Sequence, residues 1–154
     1  MIKLTDVTDK NRDSVAALEV KDSQRGYLDT AAGILARGEK YRDLNSKVFV
    51  ICNDETVVGV ALVKDFADEP YGYDLQQFLI DKRYQGQGFG YAALTLILDF
   101  LIKDGRYDHV EICVKKENMP AINLYKKCGF VDSGYVDSDV PDSVNLIYYK
   151  EIIC

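Results

Sequence analysis

No stretch of about 18 apolar residues runs through the chain, so no membrane-spanning helix is expected. The N-terminal Met1-Ile2-Lys3-Leu4-Thr5-Asp6 also lacks the long apolar run of a secretory leader. Histidine occurs once, at His109, and Cys52, Cys113, Cys128 and Cys154 form no C-x-x-C pair. That scarcity argues against a metal site and against a disulfide framework, and it points to a reducing cytoplasm. Positive charge is in deficit: 19 Lys and Arg stand against 25 Asp and Glu, a net charge of −6 with a pI near 4.8. A nucleic-acid partner, which needs a basic face, is therefore not expected. The acidity keeps the chain dispersed and is compatible with a cationic substrate drawn in by the field. No Pro-, Gly- or Ser-rich linker, repeat or low-complexity tract marks a boundary, so residues 1–154 are expected to form one domain.

What is present is an ordinary globular balance, 47% hydrophobic and 29% charged, enough to build one core. Ile2 to Val7 alternates apolar and polar residues and predicts a first strand. Thr8-Asp9 offers a cap for a helix over 10–20 with Val15 and Leu18 inward. A second helix is expected over 23–37, with Tyr27, Ala31, Ile34 and Leu35 on its apolar side and Gly38 as its stop. Lys47–Cys52 and Thr56–Val63 flank Asn53-Asp54-Glu55 as a hairpin, and Tyr71–Asp81 reads as the next strand. Residues 88–104 are apolar almost all round and predict a buried helix ended by Gly105. His109–Val114 is another strand. Asn118 caps a short helix with Pro120 in its first turn and Gly129 after its end. Residues 130–137 and 143–152 predict a last strand pair, with Pro141-Asp142 in the turn.

The passage that organises the rest is Phe78-Leu79-Ile80-Asp81-Lys82-Arg83-Tyr84-Gln85-Gly86-Gln87-Gly88-Phe89-Gly90-Tyr91. An apolar strand ends, three glycines alternate with other residues, and a helix begins. Such a turn brings backbone N–H groups to a helix N-terminus, which makes a seat for a phosphate. A Walker-type loop would need Gly-Lys-Ser/Thr, and Gly90 is followed by Tyr91 and Ala92. The loose dinucleotide fingerprint is met by Gly88, Gly90 and Ala93, but the acidic Glu111 lies at the front of its strand and too little chain follows for a doubly wound sheet. A tight turn alone needs fewer glycines.

Gln85-Gly86-Gln87-Gly88-Phe89-Gly90 resembles the Q/R-x-x-G-x-G/A signature of the GNAT superfamily of N-acetyltransferases. The block from Asn118 to Phe130 resembles that family's N-x-x-A-x-x-x-Y-x-x-x-G-F pattern. The resemblance implies an α/β fold with a mixed central sheet of about seven strands and about four helices, splayed at a parallel strand pair where acetyl-CoA binds. It implies that Gln85, Gly86, Gln87, Gly88, Phe89, Gly90 and Tyr91 hold the pyrophosphate of acetyl-CoA, and that the backbone of Phe78, Leu79 and Ile80 aligns the acetyl-pantetheine. Asn118 would bind the pantetheine or diphosphate arm, and Tyr125 would protonate the leaving sulfur.

The resemblance is strongest to polyamine acetyltransferases, which implies direct transfer of acetyl to a primary amine such as spermidine or spermine. An aminoglycoside or a protein N-terminus are the other acceptors to weigh, and a non-catalytic acyl-CoA sensor is the alternative to an enzyme. Gln76 stands where such relatives often place a glutamate base. Asp74, two residues earlier and so on the same strand face, is the candidate base through a water, and both are candidates to meet the amine. Glu19 and Asp22, near the segment that borders the acceptor site in the family, are further candidates for a cationic acceptor, and Asp29 is close by. Cys113 and Cys128 are expected to be buried small hydrophobes. The resemblance allows a homodimer, which no residue of the sequence marks.

Overall fold

The computed structural model describes residues 1–149. The elements run β1 (Ile2–Thr5), α1 (Arg12–Ala16), α2 (Ala31–Lys40), β2 (Lys47–Asn53), β3 (Thr56–Asp65), β4 (Tyr73–Ile80), α3 (Phe89–Asp104), β5 (His109–Lys115), α4 (Met119–Lys127), β6 (Val131–Asp132) and β7 (Ser143–Tyr149). Among the described residues the strands form one 7-stranded sheet in the order β1-β2-β3-β4-β5-β7-β6. Among the described pairings only β4 and β5 run parallel. None of the described helices is long and apolar enough to cross a membrane.

Alternation along the strands sorts apolar side chains onto two faces. Phe49, Ala61, Val63, Tyr73, Leu75, Val110, Ile112 and Val114 pack with Leu94, Ile97, Leu98 and Leu101 of α3 and with Ile122 and Tyr125 of α4. Val50, Cys52, Val60, Leu62 and Leu79 take the other face, against Val15 and Leu18 near α1 and Ala31 and Ile34 of α2. The all-round apolar character of α3 fits a helix that covers the middle of the sheet.

Four expectations need correction. The helix expected over 10–20 is the short α1, Arg12–Ala16, with Asn11 and not Thr8 or Asp9 at its N-cap. The helix expected over 23–37 is a single 3₁₀ turn, Asp22–Gln24, followed by α2 from Ala31. The Thr30 side chain accepts from the Gly33 N–H and starts α2 there. Gly38 lies inside α2, where an added Cβ would stand 2.6 Å from Val48 Cγ2, so it serves close helix–strand packing and not termination. The strand expected over 130–137 is two residues long, and the rest leads through a loop to β7. The expected continuation of β7 to residue 152 lies outside the described residues.

A β-bulge interrupts β4. Leu62 faces Gln77 and Val63 faces Leu75, which leaves Gln76 as the extra residue. Before it, Tyr73 and Leu75 point to α3; after it, Phe78 does so and Leu79 points to α1 and α2. The bulge therefore reverses which side chains of β4 meet which face. Pairing of β4 with β5 stops just ahead of it: only Tyr73↔Val110 and Asp74↔Glu111 are in register.

The end of β4 is held on its other edge by β3, where Gly59 lies opposite Ile80. A Cβ on Gly59 would sit 2.5 Å from the Leu79 backbone carbonyl oxygen. Gly59→Ala is expected to cost about 1–3 kcal/mol, the range for overpacking a core. Urea unfolding of the two proteins measures it, and an unchanged midpoint would show that β4 yields freely.

Candidate active site in the split between two strands

Past Asp74, β4 has lost β5 as a neighbour on one edge, and the gap opens into a cavity of about 330 Å³. Backbone groups of a strand without a neighbour are ready to pair with an extended amide-bearing ligand, as an added strand would. Phe78, Leu79 and Ile80 line this cleft. α4 supplies the opposite wall through Asn118, Leu124, Tyr125 and Lys127. Asn118 and Tyr125, two turns apart on one helix face, open on the same space.

At the cleft's end lies the glycine loop. Gly86 and Gly88 have φ of 78° and 82°, a left-handed backbone that costs other L-residues about 1–2 kcal/mol. Nothing lies within 4 Å of where their Cβ atoms would be, so that side of the loop is open. Gly88 begins α3, and the first helical bond runs from the Ala92 N–H to the Gly88 carbonyl at 3.2 Å. The N–H groups of Phe89, Gly90 and Tyr91 are thus left at the helix end, where the dipole is positive. Lys127 from α4 stands 4.7 Å above the Tyr91 ring and is the one charged residue among those lining the cleft. In a chain of net charge −6 this end is locally cationic and suited to a phosphate.

Tyr125 is 4% exposed, and its ring meets Phe78 and Phe130 edge-on, with centroids 6.3 and 5.7 Å away. Burial drives its hydroxyl well above the usual phenol range, with Cys128 adding to the shift, so it keeps its proton at neutral pH. It makes no hydrogen bond to another described side chain and faces the cleft. An acid that is protonated, buried and unengaged can serve a leaving group.

Several predicted residues lie elsewhere. Gln87 is exposed and does not line the cleft. Glu19 pairs with Lys82 at 3.0 Å and Asp22 with Arg25 at 3.1 Å, while their neighbours Val20 and Gln24 face the cavity instead. Asp29 is bound to Arg37 at 2.7 Å. Asp74 sits at the closed end of the split and pairs with Lys64 at 3.0 Å. Burial raises its carboxyl above the ordinary aspartate value, against the lowering by Lys64. Gln76 occupies the bulge, and its Oε1 is buried with no hydrogen-bond partner among the described residues. Cys113 is exposed and not buried, because it lies on the β5 face away from α3 and α4. Desolvation still raises its thiol, so it is no ready nucleophile. Cys154 is outside the described residues, and these contain no cluster that would hold a metal ion.

Sequence reasoning missed Val20, Gln24, Leu28, Tyr84 and Lys127 as cleft residues. The regular spacing of 20, 24 and 28 was a usable signal for the first three. Nothing in the Lys126-Lys127 pair told which lysine turns inward.

The sequence profile of the acetyltransferase (GNAT) family matches residues 11–130. The spermine/spermidine N(1)-acetyltransferase of Bacillus subtilis is 27% identical over 143 residues, covering 88% of this chain and 91% of that protein. The fold superposes on a spermidine N-acetyltransferase from Vibrio cholerae solved with CoA and spermine, with a TM-score of 0.73 at 17% identity over 97% of this chain and 95% of that one. It superposes equally on the ribosomal-protein-S18-alanine N-acetyltransferase of Escherichia coli, with a TM-score of 0.72 at 18% identity over 100% and 97% of the two chains.

The left-handed glycine is the sharpest test of the loop. Gly88→Ala is expected to fold but to bind CoA about tenfold more weakly, the equivalent of the 1–2 kcal/mol needed to hold alanine at that φ. Titration calorimetry reads this directly, and undiminished affinity would show that the loop's shape is not required.

Proposed function

The chain belongs to the acetyltransferase (GNAT) family and is an N-acetyltransferase, and from that premise we propose that it moves the acetyl group of acetyl-CoA directly to a primary amine of a polyamine such as spermidine or spermine. Acetyl-CoA supplies an activated carbonyl and a thiolate leaving group. The loop from Gln85 to Tyr91 seats its pyrophosphate through backbone N–H groups, with Lys127 and Asn118 at the flank. The free edge of β4 at Phe78–Ile80 pairs with the pantetheine amides and offers an N–H to the thioester oxygen as charge develops there. The new C–N bond forms as the C–S bond breaks. The amine's proton leaves through water toward Asp74, and Tyr125 gives its own proton to the departing sulfur.

One observation carries this reading: the unpaired edge of β4 runs between the glycine loop and a buried, protonated, unengaged Tyr125. The polyamine acceptor draws on the relative from Bacillus subtilis and on the face beside the split. There Asp74 and Glu111 are Cα partners, and the side-chain amide oxygen of Gln76 is buried with no hydrogen-bond partner among the described residues. An ammonium supplies a donor. A second reading, the N-terminus of a peptide, is favoured by the cleft's own lining. Val20 and Leu28 are apolar, and no carboxylate is among the lining residues. In either reading the chain works as one catalytic domain in the cytoplasm.

CoA release from acetyl-CoA in the presence of spermidine, spermine, putrescine, an aminoglycoside or a short peptide separates the two. Turnover with spermidine or spermine alone supports the first reading, and turnover with peptide alone replaces it. Tyr125→Phe is expected to lower kcat by roughly 10²–10⁴-fold, the usual worth of a general acid, with acetyl-CoA affinity nearly intact. Unchanged kcat would remove Tyr125 from the mechanism.

The raised carboxyl of Asp74 gives a sign for pH. As base it must be ionised, so kcat/KM should fall as pH drops through a value above the ordinary aspartate range. Asp74→Asn is expected to flatten that acidic limb. A limb that persists in the variant places the base elsewhere.

A further inference from the structure

The segment from Glu19 to Asp29 forms the cleft wall opposite α4, and Val20, Gln24 and Leu28 face the cavity from it. Three side chains, each four residues after the last, fasten this wall to β4 and the glycine loop. Gln77 Oε1 accepts from the Asp29 N–H at 3.0 Å. Asp81, 1% exposed, accepts from the Glu19 N–H at 2.9 Å, while the Lys82 N–H donates to the Glu19 carbonyl at 2.7 Å. Gln85 and Gln24 make a reciprocal amide pair: Gln24 Nε2 donates to Gln85 Oε1 at 3.1 Å, and Gln85 Nε2 donates to Gln24 Oε1 at 2.9 Å. The first two contacts pin the ends of the wall. The amide pair is the one that joins its middle to the residue preceding Gly86.

The chemistry of the pair is closed. Gln85 Nε2 spends its other hydrogen on the Ile80 carbonyl at 2.9 Å, and Gln24 Oε1 also accepts from the Lys21 N–H at 3.1 Å. With both of its N–H donors engaged, the Gln85 side chain has none left for a phosphate, and only its backbone N–H could serve one. The side chain is instead turned to the wall. Whatever fixes the conformation of the loop therefore fixes, through one residue, the position of Gln24.

We infer that Gln24 is a positioning residue which registers the acceptor wall on the glycine loop, so that filling the loop with CoA and binding the acceptor amine are coupled through the Gln24–Gln85 pair. The inference rests on the acetyl-transfer reading for the identity of the two ligands. Coupling of this kind is reciprocal: the ligand that orders the loop tightens the wall, and an acceptor on the wall tightens the loop. Because Asp81 and Gln77 still pin the wall's ends, Gln24→Ala loses the register without losing the fold.

Hydrogen exchange on the whole chain, with CoA as the added ligand, tests the coupling without any acceptor. In the wild type CoA should slow exchange over residues 20–28 as well as 85–92. In Gln24→Ala protection over 85–92 should remain and that over 20–28 should vanish. In steady-state assays the same variant should raise the KM for the amine by roughly fivefold or more, the lower end of ordinary site coupling, with the acetyl-CoA KM changed by less than about twofold. Gln24→Glu combined with Gln85→Arg, which replaces the amide pair by an ion pair, should restore both readouts. CoA-induced protection over 20–28 that survives in Gln24→Ala, or is missing in the wild type, overturns the inference. So does an amine KM that moves no more than the acetyl-CoA KM. A wild-type protein that turns over no amine would instead refute the acetyl-transfer reading, and the exchange measurement would still decide the coupling.

Discussion

The break in pairing between β4 and β5 is the constraint on which the rest depends. A strand in the interior of a sheet ordinarily has both edges satisfied, and buried backbone N–H and C=O groups without partners are costly. Here β4 keeps β3 along its length and gives up β5 after Asp74. The core is arranged to sustain that gap. α3 packs beneath the strands on one face, α1 and α2 close the other, and α4 stands across the opening with Tyr125. A gap of this shape suits an extended molecule with amides to pair along the strand and a phosphate for the glycine loop at the end.

Much of this was legible in the sequence because local rules carry it. Gly86 and Gly88 announce a left-handed loop before a helix, and Asn118, Pro120 and Gly129 bracket α4, so the loop and the helix that frame the cleft could be drawn from residues alone. The seven strands and four helices agree with what the two motifs implied. The face beside the split was less legible. Strict alternation places Asp74 and Gln76 together on one face, and the bulge at Gln76 resets that alternation for everything after it. A bulge is a property of the pairing between two strands, so no single stretch of sequence encodes it. The helix expected through 23–37 failed for a related reason: tertiary bonds from Gln77, Asp81 and Gln85 hold that segment in a shape its own propensities do not dictate.

Charge shows the same division between composition and place. The excess of acid over base suggested a surface for cations, but the carboxylates nominated from sequence are engaged, Glu19 with Lys82, Asp22 with Arg25, Asp29 with Arg37 and Asp74 with Lys64. The exposed pairs among them contribute little to stability. The pair of Asp74 with Lys64 is more sheltered, and separating its partners costs more. A polycation that displaced Lys64 would have to repay that cost. One that left the pair standing would have to find its acceptors in Gln76 and Glu111.

In the proposed transfer, acceptor choice turns on how the wall carrying Val20, Gln24 and Leu28 meets the face carrying Gln76. The wall is apolar at two of its three cleft positions, and Gln24 is bound into the amide pair with Gln85. On that proposal the wall would select by shape and the Gln76 oxygen by hydrogen bonding. An unsatisfied buried acceptor discriminates strongly, since a ligand without a matching donor leaves it desolvated and unpaired. A protonated amine carries such a donor, and an alkyl chain of the same length does not. The bulge that reverses the alternation of β4 follows the last residue paired with β5, so one irregularity in the strand lies where the two edges part.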